Sequence, residues 1–193
     1  DSLVGSEMCI RDSCYDANQI NGKLVFAELD LNTEFETLLD KKINLTNKNA
    51  VFLLDKEVIN LAGFIGGKNK SCSYDTKEVL IECAFFKPEA IISKSIKYDI
   101  QSEASHKFER FVDPECQDTV LRRFINIVDE HVKIKDLSIV SYNFKEKKVN
   151  QIPFDVDKIN KIIGIKISED EYLDHISKLG FIKEKNQIIV PSF

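Results

Sequence analysis

Short apolar runs that alternate with turn signals fill residues 24–67 and restrict the fold more than any other feature of the chain. Asn21-Gly22 precedes the first run, and Asp55-Lys56 separates two later ones. Runs of this length are typical of strands, and such polar pairs are typical of tight turns. The segment therefore predicts a meander of strands.

A lone acid interrupts a second strand-like segment, residues 79–86. Read at a period of two, both faces of this segment are apolar except at Glu82. A strand covered on both sides would bury that carboxyl group, and burial disfavours its charged form unless a donor compensates. Glu82 is then either part of a ligand site or a structural acid paired with an arginine or with backbone amides. The residues alone leave both interpretations open.

A helix is predicted directly after this segment. Pro88 fits its first turn, where the backbone N–H has no helical partner, and the helix should end near residue 98. Its predicted apolar face consists of Ile91, Ile92 and Ile96, which repeat at helical spacing. We therefore expect one continuous helix that packs through its isoleucines.

A second helix is predicted at residues 113–131, after a loop. Asp113-Pro114 supplies a cap and a proline at its start. Its apolar positions, at helical spacing, are Val120, Leu121, Phe124, Ile125 and Val128. Just before this helix, Glu109, Arg110 and Asp113 are expected to form an ion-pair network that holds the loop.

The chain is predicted to change domain in a charged stretch, residues 145–151, after a strand at residues 137–142. Strands followed by helices predict an α+β fold. We expect mixed or antiparallel sheets with packed helices in the first domain, followed by a small α+β domain.

Two capped helices and a strand are predicted in the small domain. Asp155 is placed to cap a short helix. Ser168 and Glu171 form a capping-box pattern, which opens a helix that ends at Gly180. A strand is predicted at residues 187–190.

The net charge limits the partners. At −5 over 193 residues, the chain lacks the basic excess with which a dedicated nucleic-acid binder neutralises phosphates. Any RNA contact must be local, and solvated surface charge is the commoner role of small basic patches. The candidate patches are Lys94 with Lys97, Arg122 with Arg123, and Lys145 with Lys147 and Lys148.

Three features that the sequence lacks narrow the class of protein further. No apolar run approaches the roughly 20 residues that cross a bilayer, and the start of the chain lacks the layout of a signal peptide. The five cysteines show neither metal-site spacing nor an even disulfide framework. We expect a cytoplasmic protein with no metal site and no membrane partner.

Three blocks of sequence, taken in order, are more specific than any single pattern. They are Leu-Ala-Gly-Phe-Ile-Gly-Gly at residues 61–67, Glu-Cys-Ala-Phe-Phe-Lys-Pro at residues 82–88, and Ser-Glu-Ala-Ser-His-Lys-Phe-Glu-Arg-Phe-Val-Asp-Pro at residues 102–114. Together they resemble the beta subunit of bacterial phenylalanyl-tRNA synthetase, from about residue 15 to residue 193. A glycine cluster alone would indicate only a turn.

The resemblance implies an α2β2 heterotetrameric ligase whose alpha subunit makes phenylalanyl-tRNA, with tRNA(Phe) and that subunit as partners. It implies ATP and magnesium for the whole ligase and no cofactor for this region. Residues 14–148 resemble the N-terminally truncated tRNA-editing domain, which hydrolyses tyrosyl-tRNA(Phe). Residues 152–193 resemble a C-terminally truncated small domain. Residues 1–13 match nothing in the family and, as a non-native-looking segment, are set aside from fold reasoning.

The family's editing-site positions carry over onto Gly63 and Glu82 as substrate-binding residues, and onto Ser102 and Ala104 as catalytic residues. Glu82 is expected to accept the phenol O–H of tyrosine. Ser102 and the backbone around Ala104 are expected to stabilise the oxyanion that forms when water attacks the ester. A family histidine aligns with Ser13, so one expected partner is missing.

A non-catalytic role is the alternative. In that interpretation the domain binds tRNA or packs against other domains, and Glu82 is paired internally. Ser102 then caps a helix or turn, and Gly63 serves a turn. Phe111 stands where the family usually has glycine, which predicts a local difference in the backbone.

Overall fold

The computed structural model describes residues 13–142 and 149–192. The chain divides into two compact units, with the division between Lys135 and Asp136. Each unit contains helices and antiparallel strands, so the predicted α+β class is confirmed. The boundary predicted at residues 145–151 lies mostly outside the described residues, and the basic patch at Lys145, Lys147 and Lys148 lies wholly outside them.

A four-stranded antiparallel sheet forms most of the first unit. The strands of this unit are β1 (Cys14–Asp16), β2 (Leu24–Glu36), β3 (Lys42–Leu54), β4 (Glu57–Leu61), β5 (Ile65–Gly66) and β6 (Val79–Ile81). Strands β2 to β5 pair in sequence order, and β2 pairs with β3 over the full length of both strands. The predicted meander is therefore confirmed.

A separate two-stranded sheet pairs β1 with β6. The strand predicted at residues 79–86 is wrong in length, because residues 82–87 are in no helix or strand. A strand lasts only as far as a neighbour pairs with it, and this pairing ends at Cys14 and Ile81. One further backbone bond follows, in which the Glu82 N–H donates to the Ser13 carbonyl at 2.9 Å.

Helices of the first unit are mostly short. They are α1 (Pro88–Ile91), α2 (Lys94–Tyr98), α3 (Glu103–Phe108) and α4 (Gln117–His131). The prediction of one continuous helix from Pro88 is wrong. Ser93 adopts a left-handed φ of 72°, which ends α1 and separates it from α2.

The break between α1 and α2 changes which side chains face inward. Of the predicted isoleucine face only Ile91 is buried, whereas Ile96 is 87% exposed and Ile92 is half exposed. Lys94 takes an inward position instead and is only 9% exposed. This part of the surface is therefore the reverse of the usual amphipathic arrangement.

The chain turns sharply between α3 and α4. Phe111 adopts a left-handed φ of 65°, so it keeps the conformation that glycine favours, at a cost of about 1 to 2 kcal/mol. The Glu115 N–H donates to the Asp113 carboxylate at 2.9 Å, a local bond typical of an Asx turn. Because residues 113–116 form this turn, α4 begins later than predicted.

Phe86 lies at the centre of the first unit's core. Its ring centroid lies 5.2 Å from that of Phe108 and 6.3 Å from that of Phe52. Gly63 has a φ of +67°, and a Cβ placed there would lie 2.7 Å from the Phe86 ring and 2.8 Å from Ile91. Gly63 therefore meets two requirements, a left-handed turn and close contact with an aromatic ring.

The second unit is a small α+β arrangement. Its elements are β7 (Gln151–Pro153), α5 (Val156–Ile163), α6 (Glu169–Ser177), β8 (Ile182–Glu184) and β9 (Gln187–Ile189). The strands form one antiparallel sheet in the order β7–β9–β8.

The predicted caps of the second unit are confirmed. The Asp155 side chain accepts from the N–H of Lys158 at 3.0 Å, and the Ser168 side chain accepts from the N–H of Glu171 at 3.2 Å. The strand predicted at residues 137–142 is wrong. Those residues are exposed and in no helix or strand.

Gly63→Ala is expected to lower the free energy of unfolding by about 2 to 4 kcal/mol, because it combines left-handed strain with a clash against the buried Phe86 ring. Gly164→Ala is the matched control, since Gly164 has a φ of +77° and no neighbour within 4 Å of its Cβ position. Urea unfolding followed by circular dichroism measures both. Equal losses in the two variants would show that the contact with Phe86 contributes nothing.

Candidate functional site

Glu82 follows β6, and its carboxyl group enters a small cavity of about 30 Å³. The Oε2 atom is buried and has no hydrogen-bond partner among the described residues. Burial raises the pKa of Glu82 to about 7, and a hydrogen bond from the Ser13 side chain opposes part of that rise. An unsatisfied acceptor in a buried site is unusual, because leaving it unpaired costs about 1 to 3 kcal/mol.

The cavity wall around Glu82 is almost entirely apolar. It is formed by Ser13, Cys83, Ala84, Phe86, Phe108, Val112, Cys116, Gln117 and Val120. None of these described residues is basic, so the wall offers no arginine or lysine to pair with the carboxyl group. One hydrogen bond joins the first turn of α4 to the segment after β6: the Cys83 thiol donates to the Gln117 carbonyl at 3.6 Å.

The position of the missing family histidine lies at the cavity. Ser13 lines it, accepts the backbone N–H of Glu82, and bonds to the Glu82 carboxyl through its side chain. A larger side chain at position 13 would therefore meet Glu82 directly.

Gly63 and Ala104 do not line this cavity, although both lie close behind its wall. Gly63 packs beneath Phe86, and Ala104 is 3% exposed in the same core cluster as Phe86 and Phe108. Gly63 contacts the Phe86 ring, which is part of the cavity wall, so a change at Gly63 would act on the cavity through this ring.

Ser102 caps α3 and uses its hydroxyl twice. The Oγ atom accepts the N–H of Ser105 at 3.0 Å and donates to the Phe64 carbonyl. The Ser105 hydroxyl in turn accepts the N–H of Ser102 at 3.3 Å, which completes a reciprocal cap. The hydroxyl of Ser102 therefore anchors α3 to the loop that carries Gly63.

Ser102 also lines a surface groove of about 870 Å³, together with His106, Arg110 and Cys14. This groove is distinct from the Glu82 cavity, yet the two lie close together. Ser13 lines the cavity and Cys14, the next residue, lines the groove. The start of β1 thus lies between a small cavity and a much larger groove.

The ion-pair network predicted for Glu109, Arg110 and Asp113 is wrong, because each bonds to an uncharged group. Arg110 donates to the His106 carbonyl at 2.9 Å, and Glu109 accepts from the Ser95 hydroxyl at 2.7 Å. These bonds close the end of α3 and fix it to α2. Charged side chains that already bond to nearby backbone and hydroxyl groups do not have to form ion pairs with one another.

A buried tyrosine beside Glu82 was not predicted. Tyr15 is 2% exposed and accepts a hydrogen bond from the Asn60 amide at 2.7 Å. Burial raises the pKa of Tyr15, and the negative charge of Glu82 raises it further. A tyrosine in a strand usually packs in the core, so the sequence does not indicate that its hydroxyl forms a buried hydrogen bond.

Two kinds of feature are absent from residues 13–142 and 149–192. No group of three or more His, Cys, Asp or Glu side chains there could hold a metal ion. No helix in the same residues is both long enough and apolar enough to cross a membrane.

Comparison with known proteins identifies a family. Residues 4–133 match the family model of the B3/4 domain. The chain therefore belongs to the B3/4-domain family. The match begins at residue 4 and so includes most of the segment that sequence analysis sets aside.

Over most of its length the chain is similar to phenylalanine–tRNA ligase beta subunits. It is 35% identical to that of Ehrlichia canis over 185 residues, which cover 93% of this chain and 24% of the relative. It is 31% identical to that of Ehrlichia ruminantium (strain Gardel), covering 92% and 23%, and 32% identical to that of Shewanella oneidensis, covering 78% and 19%. The chain thus spans about a quarter of the length of the curated relatives it matches.

A solved structure is also similar at a looser level. It is an N-terminal fragment of the phenylalanyl-tRNA synthetase beta subunit from Pyrococcus horikoshii, with 12% identity and a TM-score of 0.43 over 93% of this chain and 53% of that one. A likeness this loose carries no argument about the site.

Ser102→Ala is expected to lower the free energy of unfolding by about 1 to 2 kcal/mol, because it removes a cap and leaves the Phe64 carbonyl without its donor. Ser102→Thr keeps a hydroxyl and should recover most of the loss. Ser168→Ala, which removes a cap with a single bond, is the control, and chemical denaturation measures all three. If Ser102→Ala costs no more than Ser168→Ala, the bond to Phe64 is not stabilising.

Glu82 is expected to make stability fall as pH rises. Its pKa in the folded chain, about 7, lies above the ordinary value of 4.5, so the folded chain holds the proton more tightly than the unfolded chain does. That contribution is complete below pH 4.5 and lost as pH rises through 7, and at about 1.4 kcal/mol per pKa unit it reaches about 3 kcal/mol.

Glu82→Gln removes this titration while nearly preserving shape. Between pH 5 and pH 8 the parent should lose about 2 to 3 kcal/mol of stability relative to the variant, measured by urea unfolding at each pH. Parallel pH profiles for the two proteins would refute the buried titration.

Proposed function

We propose that this region is an editing module that hydrolyses the ester of tyrosyl-tRNA(Phe). The observation that carries the proposal is the Glu82 carboxyl group, buried in an apolar cavity with one oxygen unsatisfied. Such a group is a ready acceptor for one buried O–H donor. The similarity of the chain to phenylalanine–tRNA ligase beta subunits makes a tyrosine side chain a reasonable source of that donor.

The selectivity follows from what each side chain does to the carboxyl group. A pocket built for phenylalanine rejects tyrosine poorly, because an added hydroxyl is weakly excluded by an apolar site. In the Glu82 cavity the preference is reversed, since the phenol O–H would satisfy Oε2 and phenylalanine would leave it unpaired. At about 1 to 3 kcal/mol this favours tyrosine by about 5- to 150-fold.

The cavity must open to admit a phenol ring. At about 30 Å³ it has room for about one water. The parts of the cavity wall that would move are the rings of Phe86 and Phe108 and the first turn of α4. Gly63 sets how far Phe86 can withdraw, because any Cβ at position 63 would push this ring towards Glu82.

The hydrolysis itself needs only water and a place for the oxyanion. Water attacks the ester carbonyl, and its oxygen becomes part of the tyrosine carboxylate. One of its protons goes to the departing ribose oxygen, and the other is released to solvent. We assign no protein nucleophile. The groove beside Ser102 is suited to the terminal nucleotide, with His106 and Arg110 in its wall, and Ser102 positions α3 at the edge of this groove.

The rest of the ligase would lie outside this region. We propose that the chain works as part of a phenylalanine–tRNA ligase beta subunit, in an α2β2 heterotetramer with the alpha subunit and tRNA(Phe), in the cytoplasm. ATP and magnesium would serve the synthetic reaction of that assembly. No step assigned to the residues of this region uses either.

A non-catalytic packing or tRNA-binding domain is the second candidate. Two observations favour it: the single O–H donor of Ser102 is already given to the Phe64 carbonyl, and the cavity is smaller than a tyrosine side chain needs. In that case Glu82 would affect only the stability of the fold.

Deacylation of tyrosyl-tRNA(Phe) and phenylalanyl-tRNA(Phe) tests the editing proposal. The chain with Ser13→His, which supplies the family residue at the cavity, should hydrolyse the tyrosyl ester at least about tenfold faster than the phenylalanyl ester. Adding Glu82→Ala should remove this preference, whereas Glu78→Ala, at an exposed acid nearby, should not. Equal hydrolysis of both esters by the Ser13→His chain would refute the selectivity, and tRNA binding without hydrolysis would support the packing alternative.

A further inference from the structure

A second concave site lies on the first unit, away from Glu82. It is a cleft of about 370 Å³ between the β2–β3 ladder and the α1–α2 segment. Three lysines line it, Lys48 from β3 and Lys94 and Lys97 from α2. We call it the lysine cleft.

The Lys94 ammonium group is the unusual feature of the lysine cleft. The side chain is 9% exposed, and its Nζ atom is buried with no hydrogen-bond partner among the described residues. Burial and the nearby charge of Lys97 together lower the pKa of Lys94 to about 8, although the charge of Glu28 opposes part of this shift. The group is thus still mainly protonated at neutral pH, and a buried charge without a partner is strongly destabilising.

The other charges around the cleft do not satisfy Lys94. Glu28 forms an ion pair with Lys48 at 2.8 Å, and its charge also acts favourably on Lys94, but it forms no hydrogen bond with the Lys94 ammonium group. Lys97 donates to the Thr46 carbonyl and lies 4.8 Å from the centre of the Tyr98 ring. Glu89, the other acid of the wall, is exposed. The cleft therefore lacks an anion rather than a cation.

We propose that the lysine cleft binds one phosphate group, held by Lys94 with Lys48 and Lys97. Amines that approach from a strand on one side and a helix on the other suit a tetrahedral anion, whose oxygens point in several directions. A phosphate entering the cleft meets the flexible chains of Lys48 and Lys97 first. Lys94 reaches it by rotation of its four-carbon chain, which replaces an unpaired buried charge with a paired one.

An RNA backbone is the source of phosphate that agrees with the proposed function. This part of the inference rests on the proposed function. The net charge of −5 means that RNA must be held at a few local points. The lysine cleft would be one such point, separate from the cavity that reads the amino acid. A free phosphate ion carries the same chemistry, so the experiments distinguish the two sources.

The first experiment measures thermal unfolding of the full chain in sodium phosphate and in sodium chloride at equal ionic strength. Phosphate at tenfold excess over its Kd should raise the Tm of the parent by about 4 °C. Lys94→Met should lose this difference, and Lys77→Met, at an exposed lysine, should keep it. Because both variants share any general salt effect, only binding at the cleft separates them.

Lys94→Met also distinguishes a ligand site from a structural lysine. Without phosphate the variant should be at least as stable as the parent, since it replaces an unpaired buried charge with an apolar chain. A lower Tm in chloride would assign Lys94 a structural role and overturn the proposal, as would a phosphate shift that survives the substitution. Should Lys94→Met fail to fold, Lys97→Met provides the same comparison, with an expected loss of phosphate affinity of about threefold or more.

The second experiment separates the two sources of phosphate. Binding of uncharged tRNA, followed by fluorescence anisotropy at fixed salt, should weaken about fivefold or more in Lys94→Met and should be competed by inorganic phosphate. Unchanged tRNA binding in a variant that has lost its phosphate response would refute the RNA source. The phosphate response reports on the lysine cleft alone, and the preference for the tyrosyl over the phenylalanyl ester reports on the Glu82 cavity alone, so failure of the cleft and failure of the editing proposal give different results.

Discussion

The packing of Phe86 is the interaction on which the rest of the first unit depends. Its ring contacts Phe52 from the sheet and Phe108 from α3, and lies over Gly63 in the loop between β4 and β5. Aromatic pairs of this kind add about 0.5 to 1.5 kcal/mol each beyond the area they bury. Sheet, loop and helix are thus joined at one side chain. The same side chain forms part of the wall of the Glu82 cavity.

This arrangement couples stability to the proposed chemistry. The carboxyl group of Glu82 is costly to bury because one oxygen is unsatisfied. The packed rings beside it offset that cost and also keep the cavity small. A site that is held closed by its core opens only for a ligand that supplies the missing hydrogen bond. Discrimination and closure would then have the same physical origin.

The sequence predicts those features that depend on local pattern. The meander of β2 to β5 follows from alternating runs and turn pairs, and the caps at Asp155 and Ser168 follow from residue type and position. The burial of Glu82 is predictable because its neighbours are apolar, although the strand ends before it. Features that depend on distant contacts are not predictable in this way.

Three such features show why. The left-handed turn at Ser93 has no marker in the sequence, so the inward position of Lys94 could not be foreseen. The rings of Phe86 and Phe108 meet only because α3 folds back onto the sheet. Residues 137–142 have strand-like composition, but composition cannot supply a neighbouring strand for them. At the candidate site, the pattern identifies the acid and the resemblance identifies Ser102, whereas only the fold reveals that Ser102 caps α3 and donates its O–H to the Phe64 carbonyl.

The reversed surface of the α1–α2 segment has a dynamic consequence. The α1–α2 segment buries Ile91 and Tyr98, but it also buries an ammonium group without a hydrogen-bond partner and turns Ile96 outward, whereas the long β2–β3 hairpin is secured by a continuous ladder. Opening of the two short helices should therefore require less free energy than opening of the hairpin, so their amide hydrogens should exchange with solvent sooner. Brief excursions of this kind would expose the Lys94 amine, and an anion that captured it would slow the exchange of the whole segment.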